Sequence, residues 1–429
     1  VRPLLAAAYE VAARIALVAA DVAPLGRSKL SRSLRARRGI VDRYRAWADA
    51  HRDGKRPLLW MHAPSVGEGL QARPVLERVR ETRPDVQLAY THFSPSAETF
   101  ASRLNVDFRD YLPFDATSAA RAALDALRPT ALVFSKVDVW PTLTREARAR
   151  GVRLGLISAT LAARSSRRRG LASIMVRDAY ARLDAVGAID PEDAERLAEL
   201  GVRRDVIDVT GDTRYDQVWA RAAGVQRTSA LLAPLASTRP TLVAGSTWPA
   251  DERALLAAWV TVRRDLRDAR LIIAAHEPTP AHLDPIERWA ADARLACARL
   301  GTAGAQTADV VVVDRVGVLG DLYALASVAY VGGGFHAAGL HSVVEPAAFG
   351  APVLFGPRWH MSRDAGLLLR AGGGRTVSSS VELGERLREW LATPSARQGA
   401  GERAREVVRS GVGAADRTAA LVARLLDRG

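Results

Sequence analysis

Several carboxylates, hydroxyls and cations in this sequence stand where the chain leaves a short apolar run, a position from which a side chain can meet a ligand. The first such place is His62-Ala63-Pro64-Ser65-Val66-Gly67-Glu68-Gly69, at the end of the run PLLWMHA (57–63). Its small residues suit a tight turn. Glu68 then falls near the start of the next helix, where the helix dipole stabilises a carboxylate. Two readings are open for Glu68: a charge that only complements the helix N-terminus, or a general base facing a substrate hydroxyl. Ser65 and Gly67 share its turn. A second place is Ser135-Lys136-Val137-Asp138-Val139-Trp140-Pro141, which closes ALVFSK (131–136). In an extended segment Lys136 and Asp138, two residues apart, point the same way, either at a ligand or into a salt bridge beside a buried Trp.

A further group suits the recognition of an anion. Asp212-Thr213-Arg214-Tyr215-Asp216 follows VIDVTG (206–211) and offers the Arg214 guanidinium to a phosphate. Gly245-Ser246-Thr247-Trp248 joins an apolar run to a helix, so free backbone N–H groups and the hydroxyls of Ser246 and Thr247 make an anion site. His276 ends the next run in Ala275-His276-Glu277-Pro278. The densest stretch runs from Gly332-Gly333-Gly334 through His341-Ser342 to Glu345-Pro346. Its glycines, Gly333 and Gly334 among them, permit close backbone approach to a ligand, and Glu345 opens a helix at a place suited to a ribose hydroxyl. The glycine spacing is not that of the dinucleotide fingerprint. No His/Asp/Glu cluster has metal-ligand spacing. The expectation is a site without metal or cofactor.

These positions need a frame of strands and helices. Runs at 57–63, 86–92, 106–113, 131–136, 152–159, 185–189 and 206–211 alternate with Ala/Arg/Leu-rich stretches of 3–4 spacing, such as Gln71–Arg83 and Ser118–Arg128. A second set follows at 241–246, 269–276, 309–314, 328–334 and 351–357, with helices at Asp251–Asp265 and Val381–Ala392. Strand–helix alternation predicts parallel sheets covered on both faces. The strand-free stretch near 216–240 reads as a helix plus linker, and 395–428 as a helix broken at Gly411–Gly413. The fold class is therefore α/β: two doubly wound, Rossmann-like domains facing a central cleft, with ligands at the carboxyl ends of the strands.

Bulk properties agree with two domains in 429 residues. The formal charge is +14, yet only three of 61 basic residues are lysines: Lys29, Lys55 and Lys136. Arginine recognises phosphate through paired hydrogen bonds. No zinc-finger spacing, aromatic RNA-binding strand or sustained basic stripe points to nucleic acid. The single cysteine, Cys297, excludes an internal disulfide and suits a reducing compartment. Residues 3–25 are apolar but carry Glu10, Arg14 and Asp21, which makes a poor membrane span and a poor signal peptide. Arg27, Lys29, Arg32, Arg35, Arg37, Arg38, Arg43 and Arg45 follow. An apolar helix ahead of a basic stretch predicts an interfacial anchor whose cations contact anionic lipid. The alternative is a helix packed on the first domain.

In order along the chain, HAPSVGEG, THFSPSA, YLPFD, FSKVDVWP, ISATLAARSSRR, GDTRYDQV, AGSTWPADE, AAHEP, GDLYALASVAYVGGGF and HSVVEPAAFGAPVLFGP resemble the motifs of bacterial 3-deoxy-D-manno-octulosonic acid (Kdo) transferases of lipid A biosynthesis. The chain departs from that pattern in having Lys136 and Asp138 where many members have Glu, and Ser342 where they have Asn. The resemblance implies a GT-B fold, a CMP-Kdo donor and a lipid A precursor as acceptor. It also implies a metal-independent, inverting transfer at the cytoplasmic face of the bacterial inner membrane. Glu68 would be the base, with Ser65, Gly67, Lys136 and Asp138 around it. Arg214, Ser246, Thr247, His276, Gly333, Gly334, Ser342 and Glu345 would hold the donor. The implied division is an N-terminal membrane-associated segment (1–45), an acceptor-binding domain (46–220), a linker (221–240), a CMP-sugar-binding domain (241–400) and a C-terminal helix (401–429). Rival readings are a GT-B transferase with another sugar or acceptor, a nucleotide-sugar 2-epimerase, and an inactive membrane-surface binding protein.

Overall fold

The computed structural model describes residues 2–21, 28–162, 165, 167 and 170–427. Two units form: Val1–Asp216 with Gly413–Gly429, and Gln217–Val412.

The first unit is built on β1 (Leu58–His62), β2 (Gln87–His92), β3 (Phe108–Tyr111), β4 (Ala131–Ser135), β5 (Arg153–Ala159), β6 (Ala185–Ala188) and β7 (Ile207–Val209). They pair in parallel in the order β3-β2-β1-β4-β5-β6-β7. Strands β1, β2 and β4 are buried throughout, as expected of a parallel sheet covered on both faces. The chain moves outward from β1 through β2 to β3 and then returns to β4 on the other side of β1. That reversal places the carboxyl ends of β1 and β4 at the topological switch point, where ligands bind in such sheets.

The helix after β1 is Val66–Thr82, five residues longer at its start than the 3–4 spacing suggests. The turn is confined to Ala63-Pro64-Ser65, and Val66-Gly67-Glu68-Gly69 is the first helical turn. Gly69 allows the helix to lie close to β2, because a Cβ there would sit 2.5 Å from the Phe100 ring and 2.8 Å from the Tyr90 hydroxyl. The last helix, Ala414–Asp427, belongs to this unit, and its Leu421, Val422, Leu425 and Leu426 are buried with Leu59, Met61 and Val133. The region 401–429 is thus two elements, since the helix Pro394–Gly411 lies in the second unit.

The N-terminal region forms helices Arg2–Asp21, Lys29–Arg35 and Ile40–His51. Residues 22–27, with Arg27, lie outside the described residues. One face of the first helix docks on this unit. The Tyr9 hydroxyl donates to Asp115 (2.9 Å), and Glu10 accepts from the N–H (3.0 Å) and hydroxyl (2.8 Å) of Thr117. Asp115 also accepts the N–H groups of Thr142 and Leu143, and its burial pushes its pKa up to about 6. Leu4, Val11, Ile15 and Val18 are 56–77% exposed. Their spacing puts them in one stripe. No described helix is long and apolar enough to cross a membrane. The basic stretch behind the helix does not all face outward. Arg37 is 2% exposed, donates to the carbonyls of Leu112 (2.8 Å) and Phe93 (2.9 Å), and lies 4.0 Å above the Phe93 ring. Arg43 grips Asp110 with two bonds of 2.7 and 2.9 Å. The expectation that these two arginines meet lipid is therefore corrected: both hold the N-terminal helices to the unit.

The second unit contains β8 (Thr241–Thr247), β9 (Arg270–Ala275), β10 (Cys297–Arg299), β11 (Val310–Val312), β12 (Val328–Val331), β13 (Val353–Phe355) and β14 (Gly374–Thr376). The parallel order is β10-β11-β9-β8-β12-β13-β14. Here the switch point lies between β8 and β12. The stretch 221–240, read above as a linker, carries Leu232 and Leu235, both buried in this unit's core.

Candidate active site

In the first unit the switch point gathers Ser65, Glu68, Ser135 and Lys136. Glu68 is the third residue of its helix and could close a capping box with Ser65. It does not, because Ser65 makes no side-chain cap bond to the helix. The Ser65 hydroxyl instead donates to one Glu68 carboxylate oxygen, and Lys136 Nζ lies 3.4 Å from the other. The Ser135 hydroxyl donates to the Glu68 carbonyl (3.2 Å). Burial works against ionisation of Glu68, but the Ser65 hydroxyl and the Lys136 charge outweigh it and hold the pKa below the ordinary carboxylate value. Glu68 is thus an ionised acceptor at neutral pH, with its side chain 17% exposed.

Lys136 and Asp138 do not point the same way, which corrects the sequence reading. Lys136 has φ 69°, a left-handed conformation that ends the extended run. Such a backbone costs a non-glycine residue about 1–3 kcal/mol unless its surroundings hold it. Here the Lys136 N–H donates to the Ile157 carbonyl (2.8 Å). Lys136 turns to Glu68, whereas Asp138 turns to Arg167 (3.4 Å). Burial raises the Asp138 pKa, against the pull of Arg167. Asp138 also lies 4.0 Å from His62 Nε2, but this is no ion pair. His62 is fully buried, which drops its pKa to about 3, and its Nε2 accepts the Trp140 indole N–H (3.3 Å). Gly67 is exposed, and a Cβ there would meet only the Ser65 hydroxyl oxygen, at 3.8 Å, an ordinary contact, so packing does not require glycine at this position.

Arg214 also belongs to the first unit, where it forks onto the buried Asp212 (2.6 and 2.9 Å). The other donor-site candidates are in the second unit, around the ends of β8, β9 and β12. Asp251, which the sequence reading passed over, organises them. It is fully buried. One of its oxygens accepts the N–H groups of Trp248 (3.0 Å) and Gly333 (2.8 Å). The other accepts the Phe335 N–H and the Tyr330 hydroxyl, both at 3.1 Å. The one signal for it is an acidic residue in the first turn of the helix Pro249–Asp265.

The glycine run has a structural reason beyond ligand approach. A Cβ at Gly332 would collide with the Ser246 carbonyl and stand 2.6 Å from Thr247 Cα, and one at Gly334 would collide with the backbone of Gly356. Close backbone packing at the switch point therefore requires Gly332 and Gly334. Ser246, at φ 53°, is part-exposed in the turn. Thr247 is not available as a ligand donor: it is 1% exposed and its hydroxyl donates to Glu252 (2.9 Å). His276 is exposed and stacks on Trp248 (ring centroids 4.4 Å), with His336 on the other face at 4.2 Å. The Trp248 indole N–H donates to His341 (3.1 Å), whose pKa burial lowers. Ser342 and Glu345 are part-exposed just beyond, Glu345 in the short helix Val344–Ala348. Among the described residues no group of three or more His, Cys, Asp or Glu could hold a metal ion.

A family profile described as 3-deoxy-D-manno-octulosonic-acid transferase matches residues 32–217. A 3-deoxy-D-manno-octulosonic acid transferase from Bordetella pertussis is 30% identical over 391 residues, covering 84% of this chain and 85% of that protein. The chain belongs to the Kdo transferase family. Kdo transferases are glycosyltransferases, so the chain is an enzyme of that class. A second Kdo transferase, from Haemophilus influenzae, is 23% identical over 406 residues, covering 92% of this chain and 93% of that one. Among solved structures, a UDP-GlcNAc 2-epimerase from Neisseria meningitidis bound to UDP-GlcNAc has a TM-score of 0.63 at 13% identity, covering 87% of this chain and all of that one. A glycosyltransferase from Rickettsia africae has a TM-score of 0.57 at 10% identity, covering 87% of this chain and all of that one. These structural likenesses support the two-sheet GT-B fold.

Proposed function

We propose that the enzyme transfers Kdo from CMP-Kdo to a lipid A precursor in lipopolysaccharide biosynthesis, with inversion and without a metal ion. The observation that carries the reading is Glu68: an ionised carboxylate in the first turn of a helix at the switch point of the first sheet, in a member of the Kdo transferase family. Glu68 takes the proton from the acceptor hydroxyl as that oxygen attacks the anomeric carbon, the bond from that carbon to the CMP phosphate breaks, and CMP leaves. The donor is held by the second unit. Ser246 and the backbone of its turn meet the phosphate, Glu345 accepts from the ribose, and Ser342, His276 and the loop at Gly333–Gly334 complete the pocket. Ser65 and Asp138 shape the surroundings of Glu68. Arg214 reaches the phosphate only by leaving Asp212, so it serves first to hold the end of β7.

The acceptor is a lipid, and the stripe of Leu4, Val11, Ile15 and Val18 suits insertion at the cytoplasmic surface of the inner membrane. Burying such side chains contributes about 1.5–3 kcal/mol each when complete, and anionic head groups add about 1 kcal/mol per nearby cation. Incubation with CMP-Kdo and a lipid A precursor tests the function: the lipid gains the mass of Kdo if the reading holds, and stays unchanged if the sugar or acceptor is another.

A further inference from the structure

The bond between Lys136 and Glu68 raises a chemical question. A general base works best with a pKa near the operating pH, yet the Ser65 hydroxyl, and after it the Lys136 charge, outweigh burial and hold Glu68 below the ordinary range. The cation is also an unusual choice for this chain, which writes arginine at nearly every basic position and lysine at three. An arginine here would fork onto the carboxylate through two parallel hydrogen bonds and keep it. A lysine ammonium is a point charge on a flexible stem, able to exchange partners. The backbone supports the same role. The left-handed turn at Lys136, held by its bond to Ile157, aims a side chain that is 42% exposed at a carboxylate that is 17% exposed.

We infer that Lys136 is an anion-binding residue of the acceptor site: its ammonium pairs with Glu68 in the free enzyme and passes to an anionic group of the acceptor, a phosphate or carboxylate beside the attacking hydroxyl, when the acceptor binds. This inference rests on the reading of Glu68 as the base. The exchange leaves Glu68 without its counter-cation at the moment it must take a proton, so only the anionic acceptor creates the stronger base. The Ser65 hydroxyl remains on the other carboxylate oxygen and keeps it oriented. No covalent step is involved beyond the transfer itself.

The test compares the wild-type enzyme with Lys136→Met and Lys136→Arg, using CMP-Kdo and a lipid A precursor either intact or stripped of its phosphates. With intact acceptor, Lys136→Met should raise the acceptor KM about tenfold, the low end for one charge-assisted hydrogen bond, and leave the donor KM unchanged. The stripped lipid should bind wild type and Lys136→Met equally. In wild type the acid limb of the kcat profile should lie at higher pH than that of kcat/KM, because the first reports the complex and the second the free enzyme. In Lys136→Met the kcat/KM limb should move up to meet it. Lys136→Arg, whose guanidinium stays on Glu68, should raise the acceptor KM as Lys136→Met does and should also lose kcat. A rise in donor KM alone would assign the lysine to the acid group of the donor sugar and overturn the acceptor role. Unchanged KM values with coincident limbs in wild type would overturn the exchange itself. Both results require an active wild-type enzyme; if wild type transfers no Kdo, it is the functional reading that fails.

Discussion

Replacing Asp251 by Asn alters one atom and should loosen the whole donor side of the second unit. One Asp251 oxygen holds the N–H groups of Trp248 and Gly333, and the other holds the Phe335 N–H and the Tyr330 hydroxyl. An amide supplies only one oxygen, so whichever way it is flipped two donors face an NH2 group. Charge-assisted bonds contribute about 1.5–3 kcal/mol each, so losing two costs about 3–6 kcal/mol. For a unit of this size about 1 kcal/mol shifts Tm by ~2–4 °C, so its calorimetric transition should fall by about 6 °C or more. CMP affinity, measured by titration calorimetry, should fall with it, because Asp251 ties the turn after β8 to the glycine loop after β12. An Asp251→Asn protein with an unchanged transition and unchanged CMP affinity would refute this account of the loop.

Three further results are expected. Glu345→Ala and Ser246→Ala should each weaken CMP binding, by about 0.5–3 kcal/mol per lost hydrogen bond and most for the charged Glu345, whereas Thr247→Val should chiefly affect stability; calorimetry and thermal unfolding separate the two. Serine at Val11, Ile15 and Val18 should reduce flotation with anionic vesicles while leaving CMP affinity intact. Arg37→Ala, by contrast, should destabilise the first unit by at least about 3 kcal/mol, since two charge-assisted bonds to carbonyls are lost; stability equal to wild type with weaker vesicle binding would return Arg37 to the lipid surface.

The buried central strands were legible because both faces of a parallel sheet are covered, so β1, β4, β8 and β9 are written as continuous apolar runs. The edge strands β10 and β14 were not: each has three residues, and Cys-Ala-Arg or Gly-Arg-Thr carries no pattern. Glu68 could be found from its position after a strand, and the family resemblance put Ser65 and Lys136 around it, but neither told that both bond its carboxylate. Lys136 looked parallel to Asp138 only on the premise of an extended chain, which its positive φ breaks. Thr247 looked like a phosphate donor because a hydroxyl at a helix start is a generic anion signal, and its bond to Glu252 is a tertiary fact. Asp251 was missed for the converse reason. An acid in a first helical turn is common, and nothing local tells that four donors converge on it.

The central claim is that Glu68 is the base, and turnover of Glu68→Gln tests it most directly. Glutamine keeps the size and a hydrogen-bonding oxygen but cannot accept the proton. With CMP-Kdo and a lipid A precursor at saturation, kcat should fall by about 10²-fold or more while CMP-Kdo affinity stays at the wild-type value. Turnover close to wild type would contradict the account.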